Sequence, residues 1–129
     1  MKIKSLDKAA LFFVIPALFL FVLLNFGHLE SADAQGFGKY IFRYYNCINC
    51  HTVNGIGGTL GPSLSNYGNG NKSYAWTITQ IRNPQAHFKT GSKIKINGKN
   101  YYALMPSYKY IPVKDVEKLA SYLESLKKR

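Results

Sequence analysis

The chain has 129 residues and carries 17 Lys and Arg against 6 Asp and Glu, a net charge of +11. Such a balance points to acidic partners, less to anionic lipid, and no stretch looks like a nucleic-acid-binding module. A chain of this length holds one small domain, which buries little surface by itself.

Residues 1–34 read as a targeting segment. Lys2, Lys4 and Lys8 form a basic start, an apolar run follows from Ala9 to Phe26, and Ala32-Asp33-Ala34 is an A-x-A cleavage site. The competing reading is an uncleaved anchor through residues 9–26, since the run is just long enough to cross a bilayer. Cleavage after Ala34 is favoured, because the A-x-A site has little other purpose. Either way the rest of the chain is expected outside the cytoplasm, in the periplasm or held at the membrane. The domain left, 35–129, carries all of the net charge, opposed only by Asp115, Glu117 and Glu124.

Gly36–Tyr45 is predicted as a helix with Phe37, Tyr40, Ile41 and Tyr44 on one face, at the i, i+3, i+4, i+7 spacing. It leads into Cys47-Ile48-Asn49-Cys50-His51, a C-x-x-C-H sequence that holds both cysteines of the chain. In this pattern two thiols add to the two vinyl groups of one porphyrin, and the adjacent histidine offers an imidazole nitrogen to the iron. A structural zinc site wants four protein ligands, and only His28 and His87 remain to help. A thioredoxin-like dithiol wants a βαβ setting that is missing here, and a plain disulfide leaves His51 without a purpose. One covalent haem c, with its iron, is therefore the expected cofactor. It also caps two thiols that an exported chain would not leave free.

Residues 52–71 are rich in glycine and predicted as loop. Ser73 is the expected N-cap of a helix that stops at Asn83-Pro84. Lys93–Tyr102, with Asn97-Gly98 at its centre, predicts a β-hairpin with a type I′ turn. Met105-Pro106-Ser107-Tyr108 follows as loop, and a helix is predicted from Val113 to Lys127, with Val116, Leu119, Ala120, Leu123 and Leu126 on one face.

Apart from Met1, Met105 is the chain's other methionine. Its place in a proline-containing loop suits a thioether ligand for the second axial position of the iron, and a Met/His pair raises the reduction potential. The alternatives are that Met105 only fills a core gap, or that His87 ligates instead; His87, in a polar stretch, reads as a surface residue. Tyr67, Trp76, Arg82 and Tyr108 are candidates to line a haem pocket, with Arg82 pairing a propionate.

With these motifs in view, Gly36–Lys127 resembles the class I cytochromes c. Gly38-x-x-x-Phe42 is similar to the family's first-helix pattern, Gly61-Pro62 to the loop whose carbonyl accepts from the ligating histidine, and Met105-Pro106 to the methionine-ligand loop. The resemblance implies a mostly α fold of few helices around one haem, with Gly38 at a close crossing with Tyr122, Leu123 and Leu126. It also implies a carrier of single electrons rather than an enzyme, working in a respiratory chain beside an acidic oxidase or reductase, and monomeric if cleaved. The 93–102 hairpin is extra beside the smallest members, and Pro112 replaces the usual Ser or Thr helix cap. Two other functions are kept in view: a membrane-anchored haem subunit of a larger oxidoreductase, and a haem-based sensor or peroxidase-like enzyme. The second is opposed by Met105 and by the scarcity of carboxylates.

Overall fold

The computed structural model describes residues 15–22 and 29–128. Lys2, Lys4, Lys8 and most of the Ala9–Phe26 run lie outside the described residues; 15–22 is helical. Among the described residues no helix is long and apolar enough to cross a membrane. Ala34 onward forms one compact unit.

That unit holds, from Ala34 onward, the helix α1 (Leu29–Tyr44), together with α2 (Tyr74–Arg82) and α3 (Val113–Ser125). Two short antiparallel hairpins join them, β1 (Thr52–Val53) with β2 (Ile56–Gly57) and β3 (Lys93–Ile96) with β4 (Lys99–Tyr102). Helix α1 begins earlier than the periodicity suggests, at Leu29 rather than Gly36.

The buried face of α1 is a correction to the sequence reading. Phe37, Tyr40 and Tyr44 are exposed, whereas Gly38, Ile41 and Phe42 are buried. The set 38, 41, 42, 45 has the same helical spacing as 37, 40, 41, 44, so periodicity alone does not separate them. The crossing with α3 does. A Cβ placed on Gly38 would run into Tyr122 Cβ and the Lys118 carbonyl, so α3 can approach only over the glycine. Phe42 then meets Tyr122, with ring centroids 6.2 Å apart. The three displaced aromatics form a ladder along the outer side, Phe37 to Tyr40 at 5.9 Å and Tyr40 to Tyr44 at 5.6 Å. Gly38→Ala is expected to cost about 1–3 kcal/mol by overpacking this crossing. Thermal melting checks it, at roughly 4–8 °C per kcal/mol for a domain of this size.

Helix α3 supplies the centre of the core: Val116, Leu119, Ala120, Tyr122 and Leu123 are buried. The helix stops at Ser125, short of the predicted Lys127, and leaves Leu126 half-buried just beyond its end. Pro112 has no side-chain oxygen to cap with, but its carbonyl accepts from the amides of Asp115 and Val116 at 3.0 and 3.1 Å. Ser73 caps α2 as expected, its Oγ accepting from Trp76 N at 3.1 Å. The β3–β4 hairpin pairs Ile96 with Lys99 around Asn97 and Gly98, both at positive φ (50° and 79°), as a type I′ turn demands.

The 52–71 stretch is more ordered than its glycines suggest. It holds the β1–β2 hairpin and a 3₁₀ turn at Tyr67–Asn69. That turn is tied to α3 and the residues just beyond it: Gly68 N donates to Leu126 O (2.9 Å), and Asn69 exchanges two bonds with the Lys128 backbone.

Candidate haem site

The C-x-x-C-H motif follows α1 after a sharp turn. Asn46 sits at φ 60°, and a 3₁₀ turn spans Cys47–Asn49. Cys50 N and His51 N both donate to Cys47 O, at 3.2 and 3.0 Å, so the motif continues as one further helical turn on a new axis. Neither cysteine is in a disulfide, and both are half-buried. Burial pushes the Cys47 thiol up to about 11, so it stays protonated at neutral pH.

His51 is held from the loop that follows. Its Nδ1 lies 2.9 Å from Pro62 O. A carbonyl oxygen only accepts, so Nδ1 carries the proton and Nε2 keeps its lone pair. Burial lowers the His51 pKa, partly offset by the bond to Pro62; the neutral imidazole, the form a metal takes, therefore prevails at neutral pH. Gly61 has to be glycine here, because a Cβ would meet the His51 ring, 2.5 Å from Cε1. The loop itself is fastened to the motif by Gly58 N to Ile48 O and Gly61 N to Cys50 O, both 2.8 Å.

Met105 lies in an irregular segment, half-buried, and packs against the same core as Cys47, Ile48, Tyr67 and Tyr108. The segment is pinned to the end of α2: Ser107 Oγ donates to Arg82 O (2.6 Å) and Tyr108 N to Ile81 O (3.2 Å). Burial first, then Cys47, Tyr110 and Cys50, push Tyr108 up to about 12. Two thiols, an imidazole with a free Nε2 and a half-buried thioether on one apolar core make a donor set that fits a covalent haem c.

The other candidates are already engaged. The Tyr67 hydroxyl lies 2.8 Å from Thr77 Oγ1, and Thr77, 1% exposed, also donates to Glu124 Oε1 at 2.7 Å. Arg82 donates to the carbonyls of Ile111 (3.2 Å) and Lys109 (3.3 Å). Trp76 stacks on His87, with centroids 4.3 Å apart and planes 2° apart. His87 is thus half-buried and hydrogen-bonded rather than a surface residue: its polar neighbours in sequence conceal a stacking partner on α2. Gln80, which touches Met105, and the Thr77–Glu124 pair escape the sequence reading, because nothing local marks such tertiary partners.

The cytochrome c family model matches residues 37–127. The chain belongs to the cytochrome c family. A second comparison finds 30% identity over 90 residues with cytochrome c oxidase subunit 2 of Alkalihalophilus pseudofirmus, covering 70% of this chain and 25% of that protein. This cytochrome c thus spans about a quarter of the length of that relative. No solved structure matches. The family agrees with the mostly α architecture and implies a haem c with its iron. The bond from His51 to the Pro62 carbonyl and the glycine crossing of α1 and α3 are the features this cytochrome c was expected to have.

Proposed function

We propose that this cytochrome c is an exported carrier of single electrons with one haem, tethered by Cys47 and Cys50 and ligated at iron by His51 and Met105. When bound, haem supplies an Fe(II)/Fe(III) couple that changes by one electron. The chain's own part is to hold the ligands still. The observation that carries the reading is the His51–Pro62 bond, which fixes the imidazole tautomer and raises its basicity toward a metal. Two strong ligands keep the coordination the same in both oxidation states, which suits transfer rather than catalysis. An optical spectrum tests this: a low-spin c-type spectrum with the weak far-red sulfur-to-iron band supports it, and a high-spin, gas-responsive spectrum overturns it.

A basic domain whose carboxylates are confined to Asp115, Glu117 and Glu124 is steered onto acidic redox partners by long-range attraction. The lysines at 93, 95 and 99 place the hairpin among the surfaces that can meet them. Association with such a partner, an oxidase or a reductase, is expected to slow as ionic strength rises from about 0.01 to 0.15 M, where the Debye length falls from about 30 to 8 Å. A stopped-flow rate with the natural partner that ignores salt removes the docking idea.

The similarity to an oxidase subunit 2 favours a second reading, a haem-bearing subunit of a larger membrane oxidoreductase held by an uncleaved N-terminal segment. Sequencing the mature N-terminus separates the two: Gln35 as first residue supports the free carrier, and Met1 the anchored subunit.

A further inference from the structure

Gln80, near the end of α2, joins two side chains that the electron-carrier reading leaves unconnected. Its Nε2 lies 3.5 Å from Met105 Sδ, and its Oε1 lies 2.9 Å from His87 Nδ1. The orientation follows from chemistry. A thioether sulfur accepts and cannot donate, so the amide nitrogen must face Met105 and the amide oxygen must face His87. That oxygen only accepts, so His87 Nδ1 carries a proton.

His87 is itself held in place. Its ring lies flat on Trp76 (4.3 Å, 2°) and its amide donates to Pro84 O at 3.1 Å. The Lys72 ammonium stands 4.5 Å from the centroid of the same Trp76 ring. Trp76 and Gln80 are four residues apart on one helix, so the stack and the amide share one rigid support. The sulfur decides the orientation: turned over, the amide would set an oxygen against it, and His87 would have to move its proton to Nε2 to accept from the amide nitrogen.

We propose that His87 and Gln80 form a positioning relay for Met105, occupying one sulfur lone pair so that the other is held toward the haem iron. The proposal rests on the reading of Met105 as axial ligand. Neither His87 nor Gln80 touches the iron in it; His87 fixes the amide and the amide fixes the thioether. Two effects follow. A sulfur held in one orientation is harder for an outside ligand to displace. The positive end of the N–H dipole beside the sulfur also favours the less positively charged, reduced iron, which raises the reduction potential.

The test uses the full-length haem-loaded protein with two variants, Gln80→Leu and His87→Phe. The first removes the donor to sulfur. The second keeps a flat ring on Trp76 but loses the Nδ1–H. Outer partners of metal ligands typically matter 10–100-fold. In Gln80→Leu, added imidazole is expected to displace Met105 from the oxidised protein about tenfold more readily. The potential is expected to drop, because the N–H dipole that favours the reduced iron is gone. His87→Phe should move both readouts in the same direction by less, with the melting temperature held. Unchanged imidazole affinity and potential in Gln80→Leu overturn the proposal, and an unchanged His87→Phe beside a shifted Gln80→Leu overturns the His87 link. If Gln80→Leu does not load haem, Gln80→Glu replaces it, keeping the size and the acceptor for His87 without the donor to sulfur. The far-red band of the unsubstituted protein is read first: its absence sinks Met105 ligation and the relay together, whereas its presence with unmoved variants sinks the relay alone.

Discussion

Replacing Met105 by alanine is expected to abolish the far-red band, open the sixth coordination position and let the reduced protein bind carbon monoxide. Alanine offers no lone pair, and no other methionine stands in the unit from Ala34 onward. His87, the other ligand weighed from the sequence, has its ring stacked flat on Trp76, so it would have to leave that stack to take the position. The potential should drop, because loss of the thioether removes the feature by which a Met/His pair raises it. The fold should suffer less than the site. Met105 lies at the margin of the core rather than among its fully buried residues, so the cost falls at or below the low end of the about 2–5 kcal/mol seen when buried Met becomes Ala. Carbon monoxide titration and a thermal melt separate the two effects. Retention of the far-red band in Met105→Ala would assign the ligand elsewhere.

The second large effect is expected from Cys47→Ser with Cys50→Ser. Serine hydroxyls do not form the thioether links, so haem would be held only through its ligands and the apolar core. Haem should then leave on a denaturing gel, where the unsubstituted protein keeps it. Melting should also become dependent on haem concentration, since a group that binds only the folded state stabilises it by mass action. A domain this small has little core to spare. A double variant that still carries haem through denaturation would contradict covalent attachment at these two residues.

How much of this was legible in the sequence depends on how local each signal is. The β3–β4 hairpin was legible from Asn97-Gly98 alone, because a type I′ turn needs positive φ at both central residues. Helix α3 was legible because its apolar residues occupy one stripe and nothing competes with it. Helix α1 was not: two overlapping faces share one spacing, and the large aromatics Phe37, Tyr40 and Tyr44 outweigh a glycine in any count of hydrophobic residues. The family resemblance placed Gly38 at the helix crossing, in conflict with the periodicity, and the structure sides with the glycine. At the site, Cys47, Cys50 and His51 announce themselves by spacing, and Pro62 by resemblance. The bonds of Tyr67 to Thr77, of Arg82 to the 109–111 backbone and of Gln80 to Met105 join residues from different elements, and a single sequence carries no mark of them.

The crossing of α1 with α3 also has a kinetic side. Gly38 and Phe42 meet α3 at Lys118 and Tyr122, with the whole haem motif, α2 and both hairpins in between along the chain. Contacts so distant along the chain form late, after a large loop has closed. A polypeptide emerging N-terminus first therefore cannot shut its core until α3 has been delivered. Through that interval the Cys47–His51 motif stays open, so the covalent attachment proposed for Cys47 and Cys50 would precede the closing of the terminal helices.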